Sequence, residues 1–133
     1  MFPILFLFDQ YAFLLLRVAV GVVFLVHGIP KIRDLAKTAQ GFEAMGFRPG
    51  RLWGTFIALL EVVGGALLIV GLFVQPLGAI FALEMLVAIV KVRRNAGFVG
   101  GWEFEGLLLV ASLALLILGG GQLSLESVLG LAY

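Results

Sequence analysis

The chain has 133 residues, of which 62% are apolar and 13% charged, with a formal charge of +1 and a mean hydropathy of +1.18. A soluble domain keeps roughly a quarter or more of its surface charged, so this composition excludes a water-soluble globular protein and implies an integral membrane one. The balance of 9 basic against 8 acidic residues argues against a nucleic-acid partner, and the absence of cysteine removes disulfide, thiolate–metal and iron–sulfur chemistry.

Four apolar stretches, about residues 11–29, 52–74, 76–91 and 104–120, are long enough or nearly so to cross a hydrocarbon core of about 30 Å. The expected fold is all-α: an integral membrane four-helix bundle with short interfacial helices, residues 1–133 forming one transmembrane domain. Ahead of the first span, Pro3 and the polar pair Asp9 and Gln10 mark the first eight residues as an interfacial lead-in. No Lys or Arg precedes that span and no small-residue cleavage site follows it, so it reads as a retained helix and not a removable signal.

Residues 30–51 are polar, and Ile32, Leu35, Ala36, Ala39 and Phe42 recur among them at roughly helical spacing, which predicts a short helix on the membrane surface. Spans two and three join almost directly through Gln75 and Pro76, a tight hairpin in which Pro76 suits a first helical turn. In the tail, a Ser124 cap followed by Leu125, Val128, Leu129 and Ala132 predicts a second interfacial helix.

Lys31, Arg33, Lys37, Arg48 and Arg51 fall in the first connection and Lys91, Arg93 and Arg94 in the third, with no Lys or Arg in the N-terminus, the second connection or the tail. The positive-inside rule then puts both basic connections in the cytoplasm and both termini outside. Trp53 and Trp102 would mark the inner interface, Tyr11 and Tyr133 the outer one.

Ionisable groups at membrane depth are costly and each asks for a partner or a task. At ~1.5 Å per residue, Arg17 lies roughly 18 Å from Ile29, Glu61 roughly 14 Å from Leu52 and Glu84 roughly 10 Å from Lys91, so their depths overlap. One reading is a structural Arg17–Glu61 ion pair with Glu84 protonated or directed at the inner basic residues. The other is that one cation facing two carboxylates leaves a titratable site on a pocket open to a lipid-soluble substrate.

Arg17, Gly21, Phe24, Gly28 and Lys31 form one stripe of the first span, and Gly54, Ala58, Glu61, Gly65 and Leu68 one stripe of the second. Small residues on such stripes allow close helix approach in lipid. His27, Lys31, Trp102 and Glu103 should gather at the inner mouth, where His27 is a candidate proton relay or carbonyl ligand, or simply a helix-end residue. A lone His excludes bis-histidine haem ligation within one chain. His27, Glu61, Glu84 and Glu103 show no local ligand spacing, so no metal is expected.

The run Arg17-x-x-x-Gly21-x-x-Phe24-x-x-His27-Gly28-x-x-Lys31, then Glu61-x-x-Gly64-Gly65 with Gly71, Asn95-x-Gly97-Phe98 with Gly101-Trp102-Glu103, and Gly119-Gly120-Gly121-x-x-Ser124-Leu125-Glu126, resembles the DoxX family of small four-helix membrane proteins, in order over nearly the whole chain. The resemblance implies a four-span bundle in a prokaryotic cytoplasmic membrane. Some relatives are associated with quinol oxidases, thiosulfate:quinone oxidoreduction or membrane complexes that recruit soluble oxidoreductases. Arg17, His27, Lys31, Glu61 and Glu103 match the family's positions, and Glu84 joins them by its depth.

Two departures stand out: Glu84 with Lys91, Arg93 and Arg94 replaces a stretch that in many relatives is less charged and often carries a His, and Gly120 stands where a Pro is common.

The resulting expectation is a membrane subunit associated with quinone-linked redox chemistry, at most part of an oxidoreductase. It would hold a quinone or similar lipid-soluble molecule near the buried Arg and Glu residues, with no covalently bound cofactor. Its expected partners are membrane lipid, an oxidoreductase at the cytoplasmic face that carries the electrons, and further copies of itself. The alternatives are a non-catalytic anchor or assembly scaffold for a soluble oxidoreductase, and a small transporter.

Overall fold

The computed structural model describes residues 3–131, so Ala132 of the expected tail helix and Tyr133, expected at the outer interface, lie outside the described residues. Among these residues all regular structure is helical, and four helices are long and apolar enough to cross a membrane. Helix α1 is Asp9–Arg33, α2 Leu35–Ala44, α3 Gly50–Val70, α4 Val74–Val92, α5 Glu103–Leu118 and α6 Leu125–Val128. The chain divides into two compact units, Gly21–Ala66 and the residues on either side of that stretch.

Within Gly21–Ala66, α1 runs past Pro30 to Arg33, with Lys31 and Arg33 in its last turn, where cations complement the helix dipole. The chain then turns at Asp34, whose carboxylate caps α2 by accepting the Lys37 N–H at 3.0 Å. The Glu43 carboxylate in turn accepts the Gly50 N–H at 3.1 Å and so caps the start of α3. A Cβ at Gly50 would collide with the Ala39 carbonyl and Glu43, so the surface helix and the head of α3 meet where only glycine fits. Further along, a Cβ at Gly65 would lie 2.7 Å from the Gly21 carbonyl and the Leu25 nitrogen. This backbone-to-backbone approach is what small residues permit between helices in lipid.

The second unit begins with a 3₁₀ stretch, Pro3–Phe8, that runs straight into α1. The lead-in expected from Pro3 and Asp9 is thus an extension of the first helix. The hairpin between α3 and α4 lies at residues 71–73 and not at Gln75–Pro76, because Gly71 (φ +79°) and Phe73 (φ +54°) take left-handed conformations that reverse the chain. Helix α3 therefore ends four residues before the expected Val74. Pro76 sits in the first turn of α4. Helices α4 and α5 pack through Gly78, where a Cβ would stand 2.7 Å from the Leu116 nitrogen. Phe81, Leu115 and Val74 are fully buried beside them.

Residues 98–102 form an irregular wide turn in which Gly100 is left-handed. The Glu103 carboxylate accepts the Gly100 N–H at 3.0 Å and closes that turn. Gly119 (φ +70°) stops α5 two residues before the expected end of the span.

Candidate functional site

Both predicted stripes are buried. On α1, Arg17, Gly21, Phe24 and Gly28 are buried and Lys31 is half-buried; on α3, Gly54, Ala58, Glu61, Gly65 and Leu68 are all buried.

In the Gly21–Ala66 unit these stripes bring Lys31 and Glu61 together. The Lys31 ammonium donates to both carboxylate oxygens of Glu61, at 2.7 Å to Oε1 and 2.5 Å to Oε2. Gly28 makes this possible: a Cβ there would lie 2.7 Å from the Glu61 Cβ and 2.9 Å from the Val62 nitrogen. Glu61 itself stands in a π-type turn, Leu60–Gly64, inside α3. Such turns widen a helix locally and occur often at functional sites. The pair is asymmetric, the Lys31 side chain keeping 30% of its exposure and Glu61 only 4%. A charge held this deep is stable only while compensated, and here the compensating ammonium is also the member in reach of the surroundings. His27, one helical turn before Lys31, is exposed.

Arg17 has a different environment. Its guanidinium, 2% exposed, donates to the Gly120 carbonyl at 2.5 Å and the Leu123 carbonyl at 2.8 Å. The ion pair expected between Arg17 and Glu61 is therefore replaced on both sides, Arg17 holding backbone carbonyls and Glu61 holding Lys31. The loop that Arg17 grips is knotted further. Ser124 Oγ donates to the Gly121 carbonyl at 2.6 Å and accepts the Ser127 N–H at 3.2 Å. Glu126 accepts the Val74 N–H at 2.8 Å, capping the first turn of α4, and its own N–H donates to the Gly71 carbonyl at 3.0 Å.

The sequence reading did not count Glu126 among the site residues. Its signal was there, as the one ionisable side chain between residues 106 and 131, in the motif Ser124-Leu125-Glu126. A Cβ at Gly71 would stand 2.7 Å from the Arg17 guanidinium and from Ser124, so this glycine is required twice, by conformation and by space.

Glu84 is half-buried on α4, and Glu103 is exposed and spent on the Gly100 N–H. Among the described residues, three His, Asp or Glu side chains nowhere converge as a metal ion would need. The third connection is tied by Arg93 Nε donating to Glu105 at 3.0 Å.

The family model described as DoxX matches residues 12–94, a stretch that holds Arg17, His27, Lys31, Glu61 and Glu84. The chain is 38% identical over 113 residues to "Putative oxidoreductase CatD" of Bacillus subtilis, covering 85% of this chain and 83% of that protein. It is 29% identical to an uncharacterized membrane protein of Mycobacterium tuberculosis, over 84% of this chain and 77% of the relative. It is also 29% identical to the inner membrane protein YphA of Escherichia coli, over 55% and 52%. No solved structure matches.

Proposed function

The chain belongs to the DoxX family, and we propose that it serves as the membrane-embedded subunit of a quinone-linked redox system, holding a lipid-soluble molecule beside the Lys31–Glu61 pair. The observation that carries this reading is the pair itself: a carboxylate 4% exposed, in a π-type turn of a membrane helix, bridged by an ammonium that is 30% exposed. The donor set fits a quinone carbonyl. An ammonium has three N–H donors, and Lys31 directs its hydrogen bonds at the two oxygens of Glu61, which leaves a donor for a carbonyl oxygen at the half-exposed mouth.

When bound, a quinone supplies the electron-accepting chemistry. Lys31 orients a carbonyl by hydrogen bonding, and the Glu61 carboxylate, in contact with the ammonium through both oxygens, holds that donor in place. With no cysteine and one histidine in the chain, the electrons come from a partner that carries a flavin, haem or metal. The name of the Bacillus subtilis relative supports an oxidoreductase association. Exposed Arg33, Lys37, Arg48 and Arg51 give that partner a basic face, which the positive-inside rule puts in the cytoplasm with both termini outside. The membrane is the cytoplasmic membrane of a prokaryote, and self-association completes the assembly.

The test is mass spectrometry of organic extracts from the protein purified in native lipid particles, wild type against Glu61→Gln. A quinone enriched over bulk lipid in the wild type and lost in the variant is the expected result. Equal extracts from two equally folded proteins reject the reading and leave the basic face as an anchor for a soluble partner.

A further inference from the structure

At the end of the second unit where α4 begins and α5 stops, a cavity of about 630 Å³ opens beside the first turns of α1. None of the six residues singled out from the sequence lines it. Its polar wall is made of Gln10, Gln75, Gln122, Glu126 and Ser127, and no Lys, Arg or His contributes. Two of the amides are fixed by the backbone: Gln10 accepts the Gln122 N–H at 2.7 Å, and Gln75 donates to the Leu116 carbonyl at 3.0 Å. This leaves the Gln10 amide nitrogen as a donor and the Gln75 amide oxygen as an acceptor. Glu126 accepts the Val74 N–H through Oε1, and Arg17 lies behind Gly120, whose carbonyl it holds.

An anion has no cation to meet on this wall and one carboxylate to avoid, whereas a neutral group that both donates and accepts finds partners for each function. The rim is apolar and open, Phe73 being 57% and Ile117 78% exposed. Helix α4 has 19 residues, so the cavity lies ~28 Å along the helix from the basic cluster at Lys91, Arg93 and Arg94. That distance is about one hydrocarbon thickness, and it puts the glutamines at headgroup level and the rim among acyl chains.

We propose that this cavity is a binding site for an uncharged, lipid-soluble alcohol or phenol, its hydroxyl held among the glutamine amides and its apolar body leaving past Phe73 and Ile117. The site is independent of the pair at Glu61.

The experiment is photolabelling of the full chain in lipid nanodiscs with a diazirine-bearing long-chain alcohol, compared with the carboxylate of equal length, with adducts mapped by peptide mass spectrometry. Adducts should concentrate at residues 72–76 and 117–122 and favour the alcohol over the carboxylate by about fivefold, the worth of one net hydrogen bond. Gln75→Leu should reduce them by a similar factor of about five. Ser127→Trp, at an exposed position on the cavity wall, should block them whether or not the glutamine variant folds. Adducts spread evenly along α4 and α5, equal labelling by the carboxylate, or labelling that survives Ser127→Trp would overturn the proposal. The probe carries no redox chemistry and the variants leave Lys31 and Glu61 intact, so this site and the quinone reading can fail separately.

Discussion

Replacing Lys31 by Met and Glu61 by Leu, singly and together, should give three unequal stabilities whose order follows from burial. Lys31→Met leaves a carboxylate that is 4% exposed with neither of its two short contacts, and stranding one member of a buried pair costs about 3–5 kcal/mol. Glu61→Leu leaves an ammonium with 30% of its surface still exposed. Its flexible stem can carry the charge outward, so the cost should fall nearer to 1–2 kcal/mol, that of a lost charged hydrogen bond. The double variant has no charge to strand, and well-packed apolar replacements of buried pairs are about neutral.

The cycle therefore predicts a coupling of about 4–7 kcal/mol between the two sites. Reversible unfolding in mixed micelles, followed by helix circular dichroism, measures all four forms. Equal losses in the two single variants, or a double variant as unstable as their sum, would refute the argument from asymmetric burial.

Three further outcomes follow from the second unit, each read by the same unfolding assay. Arg17→Leu strands the buried Gly120 carbonyl and releases the part-buried Leu123 one, and should cost on the order of 1–3 kcal/mol, the penalty for the buried acceptor; a loss under ~1 kcal/mol would show that the loop finds other donors. Gly71→Ala meets a φ of +79° and the Arg17 guanidinium at 2.7 Å, so it should destabilise by at least ~1–3 kcal/mol, whereas Gly97→Ala, with open space around its Cβ, should stay within ~0.5 kcal/mol. Arg93→Gln removes an ion pair whose arginine side chain is 47% exposed; it should change stability by less than ~1 kcal/mol, and a larger loss would mark the third connection as a structural tie.

The parts of this fold that were legible in the sequence are those set by local periodicity. Arg17, Gly21, Phe24 and Gly28 recur at three- and four-residue steps, and the structure buries all of them. The same holds for Gly54, Ala58, Glu61, Gly65 and Leu68. The hairpin was misplaced because Gly71, Leu72, Phe73 and Val74 form an unbroken apolar run. Hydropathy does not register two left-handed residues inside such a run.

The pairing of charges failed for a different reason. Depth counted from Ile29 measures only Arg17, Glu61 and Glu84 and leaves out Lys31 as a partner, but α1 continues through Pro30 to Arg33. That places Lys31 three residues beyond Gly28 on the face that meets α3. The partners of Arg17 were out of reach altogether, since they are carbonyls more than a hundred residues away. Every residue carries a carbonyl, so no side-chain pattern announces which one will be used.

The buried Arg17 and the half-buried Lys31 thus have opposite chemical prospects. An arginine does not give up its proton in a protein, and Arg17 spends both terminal nitrogens on backbone carbonyls of a loop that is itself closed by glycines, Ser124 and Glu126. It is built to stay in one state, and its contribution is the shape of the loop whose Gly120 to Gln122 line the cavity. Lysine and glutamate can each exist in two protonation states. In Lys31 and Glu61 they stand 2.5 Å apart with one member buried and the other half-exposed. In the function proposed above, a carbonyl arriving at that mouth has a donor to meet. The terminal nitrogens of Arg17 are already committed, and this difference is the physical reason why the function proposed above puts the ligand at Lys31 and Glu61 and leaves Arg17 an architectural part.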